Sequence, residues 1–135
     1  MGHATVEITA ESFKELVEKP GILFLDFWAA WCGPCRTFGP IFEEAASKNP
    51  DLVCGKVDTE KEQALAGTFQ IRSIPTLMIF RDGVLLFSQP GMLPAEALAE
   101  LVTKVKELDM DAVKADIARR KEEEETPGAA AAEES

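Results

Sequence analysis

Two cysteines, Cys32 and Cys35, stand where an apolar strand gives way to a helix, inside the stretch FLDFWAAWCGPCRTFGP at residues 24–40. Only Gly33 and Pro34 separate them, so the sulfurs can close a tight disulfide or sit as a thiol beside a thiolate. Such spacing marks a redox pair. Residues 22–27 read as a buried strand, apolar at five positions and interrupted by one carboxylate, Asp26. After the cysteines, Phe38, Ile41, Phe42, Ala45 and Ala46 recur at three- and four-residue steps. That is the apolar stripe of a helix reaching about residue 48. The first N–H groups of a helix have no intrahelical partner and its dipole is positive there, which favours a thiolate over a thiol. Cys32, at the helix start, is therefore the expected low-pKa nucleophile. Cys35, one turn further in, is the expected shielded sulfur that resolves a mixed disulfide.

Other uses of the same spacing are a zinc half-site or two buried structural cysteines. Zinc normally takes four N or S ligands, and the remaining candidates, Cys54 and His3, do not form a second ligand pair. Asp26 lies in an apolar strand, where desolvation should raise its pKa toward the range useful for proton transfer near neutral pH. The alternative is an ordinary strand-end carboxylate that reaches water.

A chain of 135 residues is normally one domain, long enough for a core without disulfide staples. Six of its ten net negative charges fall in the last fourteen residues, so the part that folds is only mildly acidic. No basic field is present for nucleic acid or an anionic membrane. Three cysteines are too few for a secreted disulfide framework. The start, MGHATVEIT, has no basic segment followed by an apolar run, and no window approaches membrane-spanning length. The expected setting is a reducing cytoplasm, and the expected state is a monomer.

Taken in order, residues 5–8 form a short strand, and Thr9 caps a helix with Phe13, Leu16 and Val17 on its apolar side, stopped at Pro20-Gly21. A turn at 49–51 follows the cysteine helix, then a strand at 52–58 and a helix at 60–69. Strands at 76–80 and 84–88 flank the hairpin signal Arg81-Asp82-Gly83. Pro94 opens a helix whose buried stripe is Leu98, Leu101, Val102 and Val105. This alternation predicts an α/β domain, a mixed central sheet with helices on both faces. Beyond the domain at 1–108, Met110, Val113 and Ile117 suggest an amphipathic helical extension at 109–121. Residues 122–135, rich in Glu and Ala, are expected to be a disordered acidic tail.

The five residues Trp31-Cys32-Gly33-Pro34-Cys35, the buried Asp26 before them and Ile74-Pro75-Thr76 about forty residues later resemble the thioredoxin family, over roughly residues 5–108. The resemblance implies the thioredoxin fold and a protein-disulfide reductase that cycles between the dithiol and disulfide of Cys32 and Cys35. It implies that Asp26 serves the resolving cysteine and that Lys56 lies near that aspartate; a lysine at the surface of a strand edge is the competing reading. It implies a cis bond before Pro75, which would turn the Ile74 backbone toward the disulfide. Trp31, Gly33, Pro34, Ile74, Pro75 and Gly91 would then form a flat apolar face for client proteins. The implied partners are client proteins with disulfides and, as electron donor, an NADPH-dependent thioredoxin reductase. No metal or bound organic cofactor is required. Trp28 reads as packing beside the site, and Pro40 as bending the cysteine helix.

Three departures from the family stand out. Arg36 occupies a position where lysine is commoner and keeps the positive charge; Pro90 precedes Gly91 on the client-facing loop; Cys54 is an extra thiol in an apolar strand, read as inert. The alternative function is a binding module that holds a partner through the extension at 109–121, with redox turnover incidental.

Overall fold

The structure is a computed structural model, and it describes residues 4–125. Its elements run β1 (Val6–Glu7), α1 (Ala10–Glu18), β2 (Ile22–Trp28), α2 (Gly33–Lys48), β3 (Val53–Asp58), α3 (Gln63–Thr68), β4 (Thr76–Arg81), β5 (Val84–Pro90), α4 (Ala95–Glu107) and α5 (Met110–Glu125). The five strands form one sheet in the order β1-β3-β2-β4-β5. β3 runs parallel to both β1 and β2, whereas β4 is antiparallel to β2 and β5. This is the mixed sheet that the alternation of elements predicts.

β2 occupies the middle and is covered on both faces, which is why it reads as an almost continuous apolar run. Side chains alternate across a strand. Leu23, Leu25 and Phe27 join one core with Ile8, Val57, Leu65, Met78 and Phe80, under α1 and α3. Phe24 points the other way, into a core with Phe38, Phe42 and Ala46 of α2 and with Leu98, Val102 and Val105 of α4. By the same alternation Asp26 and Trp28 lie on the α2 face. A carboxylate two residues from Phe24 is thereby placed under the cysteine helix.

Local signals account for most boundaries. Thr9 and Ser12 form a reciprocal capping box at the start of α1. Asp82 and Gly83 both have positive φ, 53° and 80°, the conformation a two-residue hairpin loop between β4 and β5 requires. Asp82 also accepts the Gly21 N–H at 2.9 Å, tying the hairpin to the entry of β2.

Several boundaries differ from the sequence reading. α3 starts at Gln63 rather than residue 60, because the Asp58 carboxylate takes the N–H groups of Glu60 and Lys61 and holds that segment as a turn. β5 continues to Pro90, which an edge strand tolerates. Pro94 is the N-cap of α4 rather than its first helical residue. α5 runs to Glu125, four residues past the expected end of the extension, so 122–125 are helical; residues 126–135 of the expected tail lie outside the described residues. Ion pairs of Arg119 with Asp116 and Glu123, and of Arg120 with Asp116, link successive turns there. The expected apolar stripe is only partly used: Met110 is buried, but Ile117 is 38% exposed.

Candidate active site

The β2–α2 junction holds Cys32 as the N-cap of α2, with Gly33, Pro34 and Cys35 in the first turn. Cys32 and Cys35 form a disulfide, their Cα atoms 5.2 Å apart. The Cys35 N–H donates to Cys32 Sγ at 3.2 Å, so the helix start solvates that sulfur with a backbone donor. Exposure does not separate the two sulfurs as the sequence suggests, since Cys32 is 5% and Cys35 4% exposed. What distinguishes them is position: Cys32 caps the helix and receives its N–H, whereas Cys35 lies inside the first turn.

Ile74 and Pro75 arrive from the loop before β4. Their peptide bond is cis, and the Ile74 carbonyl oxygen lies 3.6 Å from Cys32 Sγ. Ile74 packs with Trp28 against Ala29 and the two cysteines. Gly91, at φ 96°, donates its N–H to the Pro75 carbonyl at 2.8 Å and so fixes the loop after β5 beside Pro75. Trp31 is 67% exposed, and Gly33 and Pro34 are exposed at the tip of α2. Trp31 with Gly33 and Pro34 at the start of α2, Ile74 with Pro75, and Gly91 bonded to Pro75 thus come from three segments of the chain at this end of the sheet.

Asp26 is fully buried, and neither carboxylate oxygen has a hydrogen-bond partner among the described residues. Burial pushes its pKa up to about 7, while the positive charge of Lys56 works in the opposite direction. Asp26 and Lys56 are paired in register across β2 and β3. The Lys56 ammonium lies 4.9 Å from the centre of the Trp28 ring, and a Cβ placed at Gly39 would stand 3.5 Å from it. Lys56 therefore reaches between β3 and α2 rather than out from a strand edge. An open groove of about 350 Å³ at this spot is lined by Trp28, Cys35, Arg36, Gly39, Glu43 and Lys56. It gives the region beside Cys35 a face toward solvent.

Cys54 is buried on β3, and desolvation, with Glu43 and Asp51 adding negative charge, pushes its pKa up to about 12. At neutral pH it stays a thiol. Among the described residues no cluster of three or more His, Cys, Asp or Glu side chains could hold a metal ion. No helix among them is long and apolar enough to cross a membrane.

Two features escaped the sequence reading. Trp28 Nε1 is buried without a partner among the described residues. Arg36 supplies more than charge, since its Nε and Nη2 both donate to the Ala30 carbonyl, at 3.1 and 3.0 Å. Nothing in the residue pattern announces a bond that depends on how the junction folds back on α2.

Comparison with known proteins agrees with this geometry. The family profile described as Thioredoxin matches residues 4–119. Putative thioredoxin 2 of Streptomyces coelicolor is 51% identical over 117 residues, 87% of each chain. Thioredoxin of Bacillus subtilis is 40% identical over 102 residues, 75% of this chain and 97% of its own. Among solved structures, a point mutant of thioredoxin from Halobacterium salinarum superposes with a TM-score of 0.71 at 28% identity, covering 80% of this chain and 96% of that one. The profile and the Streptomyces match both run past residue 108 into α5, so the similarity extends beyond the residues 5–108 over which the sequence motifs suggested it. With a disulfide-forming pair at a helix start and relatives of this similarity, the chain belongs to the thioredoxin family, whose members are thiol-disulfide oxidoreductases.

Proposed function

We propose that this chain reduces disulfides in client proteins, with Cys32 as the attacking sulfur and Cys35 as the resolving one. The observation that carries the assignment is the Cys35 N–H donated to Cys32 Sγ at the N-cap of α2, which stabilises negative charge on that sulfur. In the reduced protein the Cys32 thiolate attacks one client sulfur. A Cys32–client bond forms and the other client sulfur leaves as a thiolate. Cys35 then gives its proton to the Asp26 carboxylate and attacks Cys32 Sγ, so that the first client sulfur leaves as well. The client has gained two electrons, and Cys32 and Cys35 have lost them as a disulfide.

Asp26 suits the proton step because a carboxyl with a pKa of about 7 can take a proton and return it near neutral pH. Lys56 keeps part of the Asp26 population ionised by its charge. The face formed by Trp31, Gly33, Pro34, Ile74, Pro75 and Gly91 is the client platform. An extended client segment pairs with the Ile74 backbone, whose carbonyl already lies next to Cys32. Electrons return from an NADPH-dependent thioredoxin reductase, in the cytoplasm, to a monomeric chain.

Single substitutions separate the two sulfurs. Insulin reduction should be abolished in Cys32→Ser, with no covalent adduct formed. Cys35→Ser should instead accumulate a Cys32–client disulfide, visible by mass spectrometry. An active Cys32→Ser protein, or a Cys35→Ser protein that never traps a client, would reverse or remove the roles. A module that only binds is not favoured, because such a module has no use for a closable pair at a helix N-terminus.

A further inference from the structure

We propose that Arg36 is a positioning residue: its guanidinium locks the Ala30–Trp31 peptide and so fixes Trp31 beside Cys32. Residues 29–32 form a four-residue turn closed by the Cys32 N–H on the Ala29 carbonyl at 3.2 Å. The central peptide of such a turn is its least constrained part. It can rotate through ψ of the second residue and φ of the third while the closing bond stays in place. Here that peptide joins Ala30 to Trp31, and both residues are exposed, so packing does little to hold it.

Arg36 holds it instead. Nε and Nη2 both donate to the Ala30 oxygen, at 3.1 and 3.0 Å. The Arg36 backbone is itself anchored, because its N–H donates to the Cys32 carbonyl at 3.2 Å. The clamp therefore closes a ring from Cys32 through the first turn of α2 and back to the residue before Trp31. Two donors fixed in one plane set the direction of the carbonyl, whereas a lysine at this position would keep the charge and lose the fork. Because the Ala30 carbonyl and the Trp31 N–H belong to one rigid plane, orienting the first sets where the Trp31 side chain leaves the backbone. The consequence falls on the client platform rather than on the thiols.

This inference rests on the reading of Trp31 as part of the client platform and of Cys32 as nucleophile. R36K and R36A separate charge from clamp, and both change an exposed side chain without emptying the core. In R36K we expect kcat/KM for insulin to fall about three- to tenfold, chiefly through KM, with turnover of a small aromatic disulfide within about twofold of wild type. The pH profile of Cys32 alkylation should be unchanged in R36K, whose charge is kept, and shifted upward in R36A. Fluorotryptophan labelling with fluorine NMR should show the Trp31 resonance moved or broadened in both variants, and that readout does not depend on turnover. A wild-type insulin KM and an unmoved Trp31 resonance in R36K would overturn the proposal. So would an equal loss on insulin and on the small disulfide, since that would place the effect on the thiols. If wild type itself fails to reduce insulin, the platform reading fails, while the Trp31 resonance still decides the clamp.

Discussion

Asp26 sits in the central strand with no partner for either oxygen among the described residues and with Lys56 as its nearby cation. Its pKa is about 7 in the folded protein against an ordinary value of 3.8, so folding favours the protonated carboxyl. Stability from this group is fully present below about pH 4, is lost as pH rises toward about 7, and stays lost above it. The gap corresponds to roughly 4 kcal/mol. Asp26→Asn, which cannot ionise, should therefore raise the denaturant midpoint of the oxidised protein at pH 8 and leave it nearly unchanged at pH 4. An equal effect at the two pH values would show that charge burial is not the cause. In the proposed mechanism the same substitution should slow client release, because it removes the carboxylate assigned to take the Cys35 proton. Strand alternation makes Asp26 legible in the sequence as a buried carboxylate, but not its lack of hydrogen bonds, which depends on which side chains α2 brings down upon it.

Among the elements, β1 is only two residues long and depends on what it covers. A Cβ at Gly55 would fall within overlap distance of Ile8 Cγ1 and Cδ1, so β3 needs a glycine where the chain leaving β1 crosses it. Gly55→Ala should cost about 1–3 kcal/mol, the usual penalty for overpacking. Thermal or urea unfolding would check this, and a neutral result would mean that Ile8 swings clear at no cost. The N-terminal segment is tied to α2 as well, by the Ala4 N–H and the Thr5 hydroxyl on the Glu43 carboxylate. α4 is held at its C-terminal end by Arg81, whose Nη1 lies within 2.7 to 3.3 Å of the carbonyl oxygens of Val105, Lys106 and Leu108. Helices whose apolar residues recur at three and four positions were readable, and so was the hairpin at Asp82-Gly83. The start of α3 was not, because an Asx turn at Asp58 looks like helix until its hydrogen bonds are seen.

For the whole molecule, the redox couple is the property that integrates these parts. Equilibration of Cys32 and Cys35 against a reference dithiol, followed by tryptophan fluorescence, should give a potential of about −270 mV, the value that thioredoxins have. A potential of about −120 to −180 mV would instead mark an oxidant or isomerase and reverse the proposed electron flow. The mixed sheet with helices on both faces followed from the alternation of elements, and the position of the cysteines from an apolar β2 ending at a helix start; the strand order β1-β3-β2-β4-β5 did not. Nor did the side-chain ties, since Arg36 to Ala30, Glu43 to Thr5 and Arg81 to the end of α4 join residues that no periodic pattern connects. The last of these has a practical side. Arg81 is paired in register with Ile22, the first residue of β2, while the disulfide follows the last, Trp28. Seven residues of strand put about 20 Å between the two ends. A bead, an electrode or a fused enzyme grafted at Leu108 would thus be wired to the back of the molecule, leaving the end that carries the disulfide and the exposed Trp31 free, like the tip of a probe.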